Sequence, residues 1–242
     1  MTALTGIAAD LHTHTLASTH AFSTVAEVCA AAAAAGLAAV AITDHAPALP
    51  DAPHAWHFEG DDLPDRCAGV RLLMGAEVNV LDWDGTVDLP ARTLAKLDFV
   101  IASLHRPCRP PGTRDQHTAA WLAVAGNPLI DCLGHPGQPD FSFDHEAVVL
   151  RCRETGTLIE INNHSPVARP GSDENCRAVA RCCARHGVPV VVNTDAHWAG
   201  QVGDVSLALA MLAEIDFPEA LVVNATHARL ADWLRRRRGV AL

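Results

Sequence analysis

Tyrosine is missing from this 242-residue chain, lysine occurs once, at Lys96, and aromatic side chains make up only 5% of it. With so much alanine, that profile reads as genomic composition bias. Arginine supplies nearly all the positive charge, and acidic groups outnumber basic ones enough to give a formal net charge of −10. This excludes a nucleic-acid scaffold that neutralises backbone phosphates, which needs a basic face; bound cations would cancel part of the negative charge. No apolar run can span a bilayer, the alanine stretch at 30–35 being too short, and residues 1–9 lack a basic segment followed by an apolar leader. The expectation is a cytoplasmic chain with neither a membrane nor a nucleic acid as partner. The eight cysteines contain no Cys-x-x-Cys pair. That argues against a disulfide framework or a thiolate zinc site and for reduced, buried thiols.

What is present suits a soluble globular protein, 49% hydrophobic and 19% charged, with no Gly/Ser/Pro-rich linker to divide it. Residues 1–242 are therefore expected to form a single domain. Short, continuous apolar runs at 7–11, 38–43, 72–78, 98–103, 129–133, 157–161 and 189–193 have the pattern of parallel strands buried on both faces. Helical patterns follow them. Thr24 with Glu27 has capping-box spacing and opens a helix closed by Gly36; Asp144 opens another before Gly156, and Ser172 a third that ends at Gly187. Seven βα units with right-handed crossovers predict an α/β fold closed, or nearly closed, into a barrel.

Against that frame, six of the seven strands end on residues that ligate borderline divalent metals. Asp10-Leu-His-Thr-His14 places His12 and His14 at i and i+2 as the first strand ends, so both rings can reach one ion. Thr43-Asp44-His45 ends the second, where Asp44 is either a helix or turn cap or a group that fixes a ring or a loop backbone. Glu77 ends an otherwise apolar third strand, where a buried carboxylate needs a cation and its two oxygens can bridge two ions. His105 and His135 occupy equivalent places on the fourth and fifth strands, and Asp195 with His197 mirrors the first motif on the last. First and last strands are neighbours in a barrel, so these pairs should face one another at the C-terminal mouth, where barrel active sites are built.

Other polar residues are less decisive. Glu160 and Asn162 on the sixth strand are hydrogen-bonding supports or plain structure. On the long polar loop 47–65, His54 and His57, with Trp56, contact substrate or simply pack the loop. Arg106 and Arg169 are placed to grip a phosphate or are surface charges. His117, His145, His186 and His227 lie in helical patterns and read as surface residues, and the run Arg235 to Arg238 as a solvated helix end.

The ordered motifs Asp10-Leu-His-Thr-His14, Thr43-Asp-His45, Gly75-Ala-Glu77, Leu104-His105, Gly134-His-Pro136 and Thr194-Asp-Ala-His197 resemble the PHP family of metal-dependent phosphoesterases. Within it, Ala17-Ser-Thr-His20-Ala-Phe-Ser-Thr24, Asp51-Ala-Pro-His-Ala-Trp-His-Phe58, Glu160-Ile-Asn-Asn163 and Gly171-Ser-Asp-Glu-Asn-Cys176 resemble the YcdX-type phosphatases over nearly the whole chain. The resemblance implies a distorted (β/α)7 TIM-like barrel with three divalent ions, zinc first and manganese or iron as alternatives. It assigns His12, His14, Glu77 and Asp195 to one ion, Glu77, His105 and His135 to a second, and His20, His45 and His197 to a third. His20 enters the set only through the resemblance, and Arg106 departs from the family's usual residue at its position.

The expected activity is hydrolysis of small phosphomonoesters by a metal-bridging hydroxide, with Glu77, Asp195 and His197 as catalytic residues and a phosphorylated metabolite as partner. A homo-oligomer is compatible with this. Competing readings are a phosphodiesterase or nuclease of the PHP type and a non-catalytic metal-binding regulatory domain. An amidohydrolase would want a lysine bridging its metals, and Lys96 is badly placed for that.

Overall fold

The computed structural model describes residues 4–242; residues 1–3, part of the N-terminal stretch weighed above, lie outside the described residues. Seven parallel strands, β1 (Ala9–Thr13), β2 (Ala39–Ile42), β4 (Val70–Asn79), β5 (Phe99–Ser103), β6 (Cys132–Leu133), β7 (Leu158–Asn162) and β8 (Val190–Asn193), pair in that order. A parallel bridge between Thr13 and Ala196 brings β8 back against β1, making a distorted (β/α)7 TIM-like barrel. The two-residue β3 (Arg66–Cys67) was not predicted; it pairs antiparallel with β4 as the long second loop returns. Two residues of ladder are too few for an alternation signal.

Helices α1 (Val25–Ala34), α2 (Ala91–Leu94), α3 (Arg114–Ala125), α4 (His145–Thr155), α5 (Ser165–Ala168), α6 (Ser172–His186), α7 (Ser206–Glu214) and α8 (His227–Arg238) connect or follow the strands. The Thr24–Glu27 capping box forms, and Asp144 caps α4, which stops at left-handed Gly156. At α6 the cap differs from expectation: Gly171, at φ 86°, holds the N-cap position and Ser172 is already helical. None of these helices is long and apolar enough to cross a membrane among the described residues.

The barrel interior is apolar at its N-terminal end, where Ala9, Leu11, Leu73, Phe99, Ile101 and Leu158 pack together with Leu230, Trp233 and Leu234 of α8. Space runs out above them. A Cβ on Gly75 would come within 2.5 Å of the Phe99 carbonyl, and one on Gly134 would collide with Ser103 and Ile101, so these glycines let the strands close beneath the site. The pairing of β1 with β2 shifts between Asp10 and Thr13. Leu11 can therefore join the interior cluster while its neighbour His12 also turns inward, a re-aiming typical of a bulge.

Two sequence expectations fail here. His117 is not a surface residue: it is 1% exposed, with Nε2 accepting from the Gly112 amide at 2.8 Å and Nδ1 lying 2.8 Å from the Ser142 carbonyl. The arginine run is not uniformly solvated either. Arg237 Nε and Arg238 Nε donate to the fully buried Asp131 at 3.1 and 2.7 Å, and both guanidinium groups also cap carbonyls at strand and helix ends. Burial raises the Asp131 carboxyl above its usual range despite both arginines. Only Arg235 and Arg236 stay outside, pairing with Asp232. Arg238→Ala should lower stability in chemical denaturation by roughly 3 kcal/mol, the scale of breaking a buried pair. Arg236→Ala should stay within about 0.5 kcal/mol of wild type.

Candidate metal centre

Glu77 stands at the centre of the mouth, fully buried, with imidazoles on both carboxylate oxygens. On the Oε1 side, His135 Nε2 lies at 2.8 Å and His105 Nε2 at 3.3 Å, and Ser103 Oγ donates at 2.6 Å. On the Oε2 side, His45 Nδ1 is at 2.8 Å, His12 Nε2 at 3.4 Å and His14 Nε2 at 3.6 Å. Asp195 Oδ1 closes the ring from β8, 3.4 Å from His12 Nε2 and 3.2 Å from His14 Nε2. His197 and the half-exposed His20 complete it: their ring centroids are 4.4 Å apart, and His197 lies 4.3 Å from His14.

The donor atoms fall into three overlapping groups, each within 4.8 Å: His12, His14 and Glu77; His45, Glu77 and His105; and His14, His45 and His197. These groups take in six of the nine residues expected as ligands; His135 and Asp195 reach the ring through Glu77, His12 and His14, while His20 belongs to none of the groups and adjoins it through the His45 and His197 rings. His45 and His14 each belong to two groups, so the boundaries between the expected sets are less sharp than the motifs alone suggest.

Support comes from the strands themselves. Glu160 Oε1 lies 2.7 Å from His12 Nδ1, and Oε2 accepts from the His135 amide at 2.7 Å, so one carboxylate fixes two would-be ligands. Asn162 Nδ2 spans Glu160 and Asp195 at 3.0 and 3.1 Å. Asn79 Oδ1, 2.7 Å from His105 Nδ1, and Ser103 were missed from sequence. Asn79 lies two residues beyond Glu77 on the same strand face, and that polar alternation at the end of an apolar strand was the available signal. Asp44 is more than a turn cap: it accepts from the Thr15 amide and hydroxyl at 2.7 Å and from Ser18 Oγ at 2.8 Å. Two of the convergent residues hold left-handed backbone, His135 at φ 30° and Asp195 at φ 59°. Such conformations cost of order 1–3 kcal/mol and persist where surrounding contacts impose them.

The cluster combines ionised carboxylates with imidazoles pushed in opposite directions. Burial alone would raise the Glu77 and Asp195 carboxyls, but the imidazoles around them, with Arg169 beside Asp195, hold both well below the usual range. His14 is pushed down to about 3 by burial and the neighbouring His45, and His135 to about 4 by burial and Arg169. His12, drawn up by Glu160, Asp195 and Glu77 against its burial, goes the other way. Ionised carboxylates and neutral imidazoles are the forms that bind metals, so His14 and His135 are ready to ligate, whereas His12 and His45, both raised beside Glu77, would release a proton on binding. Moreover His12 Nε2, both His14 nitrogens and His135 Nδ1 are buried without a hydrogen-bond partner, and the 2.8 Å approach of His45 Nδ1 to Glu77 Oε2 lacks hydrogen-bond geometry. Unsatisfied buried polar atoms each cost about 1–3 kcal/mol, and these are all of ligand type. The donor set fits divalent ions.

A cleft of about 620 Å³ opens above the cluster, walled on one side by Arg106 and Asp140, which pair with each other, and on the other by His164 and Arg169. Arg169 NH2 donates to Asp195 Oδ2 at 3.2 Å, while its buried NH1 has no partner. His54 and His57 do not line this cleft. His54 accepts from the Trp56 amide at 3.2 Å as the cap of a short helical turn, and His57 Nε2 lies 3.1 Å from Asp44 Oδ2. His164 was not singled out from sequence and does line it.

The PHP domain model matches residues 10–164. This chain belongs to the PHP domain family. A protein of Acetivibrio thermocellus named a probable phosphatase is 43% identical over 95% of each chain. Among solved structures, histidinol phosphate phosphatase from Lactococcus lactis, complexed with zinc, L-histidinol and phosphate, superposes with a TM-score of 0.58 at 17% identity, covering 86% of this chain and 91% of that one. A chain of archaeal ribonuclease P with mature tRNA also scores 0.58, at 13% identity over 94% and 90%. Such distant likenesses establish the barrel and leave chemistry to the site.

Because the ligand atoms are buried and unsatisfied, a metal that binds only the folded chain should stabilise it. Thermal unfolding with Zn2+ at about 100 times its Kd should show a gain near 2.7 kcal/mol for each site filled, reversed by a chelator; an unchanged midpoint would count against a metal centre.

Proposed function

We propose that this PHP chain is a metal-dependent phosphatase that hydrolyses small phosphomonoesters over three divalent ions. One observation carries the reading: both oxygens of the buried Glu77 are ringed by imidazoles, so a single carboxylate can join two ions at the floor of an open cleft. The curated relatives named probable phosphatases support the reaction class. Imidazole and carboxylate donors suit zinc best, with manganese or iron as alternatives. Once bound, such ions lower the pKa of water and neutralise charge on phosphoryl oxygens.

The chain's own residues do the rest. Glu77 and Asp195 stay ionised at the cleft floor. Glu160 and Asn79 set the His12 and His105 rings through Nδ1, and the Asp195 carbonyl, 2.9 Å from His197 Nδ1, leaves His197 Nε2 free at the cleft. Glu77, Asp195 and His197 are thus the proposed catalytic residues. Arg169 offers a buried, unpaired NH1 to a phosphate, whereas Arg106 is engaged by Asp140, leaving it a role at the cleft rim. His54 and His57, which lie outside the cleft lining, are assigned no substrate contact. The cleft volume suits a metabolite-sized ligand, and a net charge of −10 disfavours a polynucleotide.

Purified protein supplied with Zn2+ or Mn2+ should release phosphate from generic monoesters and turn over a nucleotide monoester faster than a short single strand. The reverse preference would favour the phosphodiesterase or nuclease reading. Complete, verified metal removal should abolish activity, and persistence of hydrolysis would overturn the mechanism. His12→Ala and Asp195→Ala should cost more than the ~10–100-fold that follows loss of a ligand's outer partner. Arg169→Ala should raise KM about tenfold, the worth of one charge-assisted hydrogen bond.

A further inference from the structure

The 47–65 loop is fastened to the mouth at several points. The Ala48 amide donates to Asp88 Oδ2 at 2.8 Å, the Asp51 carbonyl accepts from the Thr19 amide at 3.1 Å, and His57 lies 3.1 Å from Asp44. Asp44 in turn holds Thr15 and Ser18, and Ser18 Oγ accepts from the His45 amide at 3.1 Å. The loop is therefore bonded to both segments that present His20 and His45. Its closest contact with the ligand ring is direct: the Asp51 carboxylate meets Nδ1 of His20.

That contact repeats a pattern found across the centre. His12, His105 and His197 each have Nδ1 tied, to Glu160, Asn79 and the Asp195 carbonyl, leaving Nε2 as the ligating atom. Imidazole ligands generally give their second nitrogen to a carboxylate or carbonyl in this way, which fixes tautomer and ring angle. Glu160 and Asn79 belong to strands, and Asp195 lies two residues beyond the end of β8. Asp51 alone among these partners sits on the long loop, and it serves the most exposed imidazole of the ring, His20 being 51% exposed against 0–20% for the side chains of the other imidazoles.

We propose that Asp51 is the positioning residue for His20, and that through it the 47–65 loop governs how tightly the outermost ion is held. This rests on the three-ion reading above. The rings of His12 and His105 have strand-borne supports in Glu160 and Asn79, whereas the ring of His20 has its support on the loop. His20 without Asp51 is a solvated imidazole free to rotate, so the outer ion loses a fixed ligand while the others keep theirs.

The test uses the full chain loaded with Zn2+, gel-filtered, and measured for metal per chain by elemental analysis, with release followed by a chromogenic chelator. Wild type should hold three ions. Asp51→Asn and Asp51→Ala should each release one of them 10–100-fold faster, matching the ion lost from His20→Ala, with the other two retained. The thermal midpoint of the metal-free variants should equal that of the metal-free wild type. If the Asp51 variants keep three ions at the wild-type release rate while His20→Ala loses one, the positioning role is overturned and the three-ion reading stands. If wild type itself holds fewer than three, both fall. Loss of all ions, or a lowered metal-free midpoint in Asp51→Asn, would show general structural damage and overturn the proposal.

Discussion

A carboxylate with no exposed surface, set inside a ring of imidazoles, is the constraint on which the mouth of this barrel depends. Burying Glu77 without compensation would cost several kcal/mol or force it to take up a proton. His12, His105 and His45 instead hold its carboxyl well below its usual range against the cost of burial. Those imidazoles arrive from different strands, so their convergence requires the strands to close at one radius. Gly75 and Gly134 make that radius possible, since a side chain at either would strike the neighbouring strand.

The same requirement explains why the site is tensioned. His135 and Asp195 adopt left-handed backbone just where the chain leaves β6 and β8. Glu160 offsets this strain for His135 by accepting from its amide, while also fixing the His12 ring; Asn162 extends the network to Asp195. Few of these groups can move singly. Shared partners of this kind couple their energetics, so substitutions within the network should not add independently.

At the opposite end, α8 closes the barrel floor with Leu230, Trp233 and Leu234 and clamps it through Arg237 and Arg238 on Asp131. Stability and chemistry thus occupy opposite ends of the strands. The floor is apolar and tied to the last helix; the mouth is polar, strained and carried on loops, as parallel barrels generally arrange their active sites.

The seven strands, the main helix caps and eight of the nine ligand-type residues were legible in the sequence because each rests on local rules: apolar runs bounded by turns, capping spacing, and a ligand placed where a strand ends. His20 was visible only through family resemblance, since nothing local distinguishes it before Asp51 comes alongside. His117 and the pair Arg237 and Arg238 were misread for a related reason. Their burial is decided by Ser142, Gly112 and Asp131, partners that sequence spacing does not bring together. The chain by itself determined which groups could ligate and that they share one end of a barrel. Only the tertiary structure decided which atoms face one another, because the shift in β1, the left-handed turns at His135 and Asp195, and the fastening of the 47–65 loop arise from contacts between segments far apart along the chain.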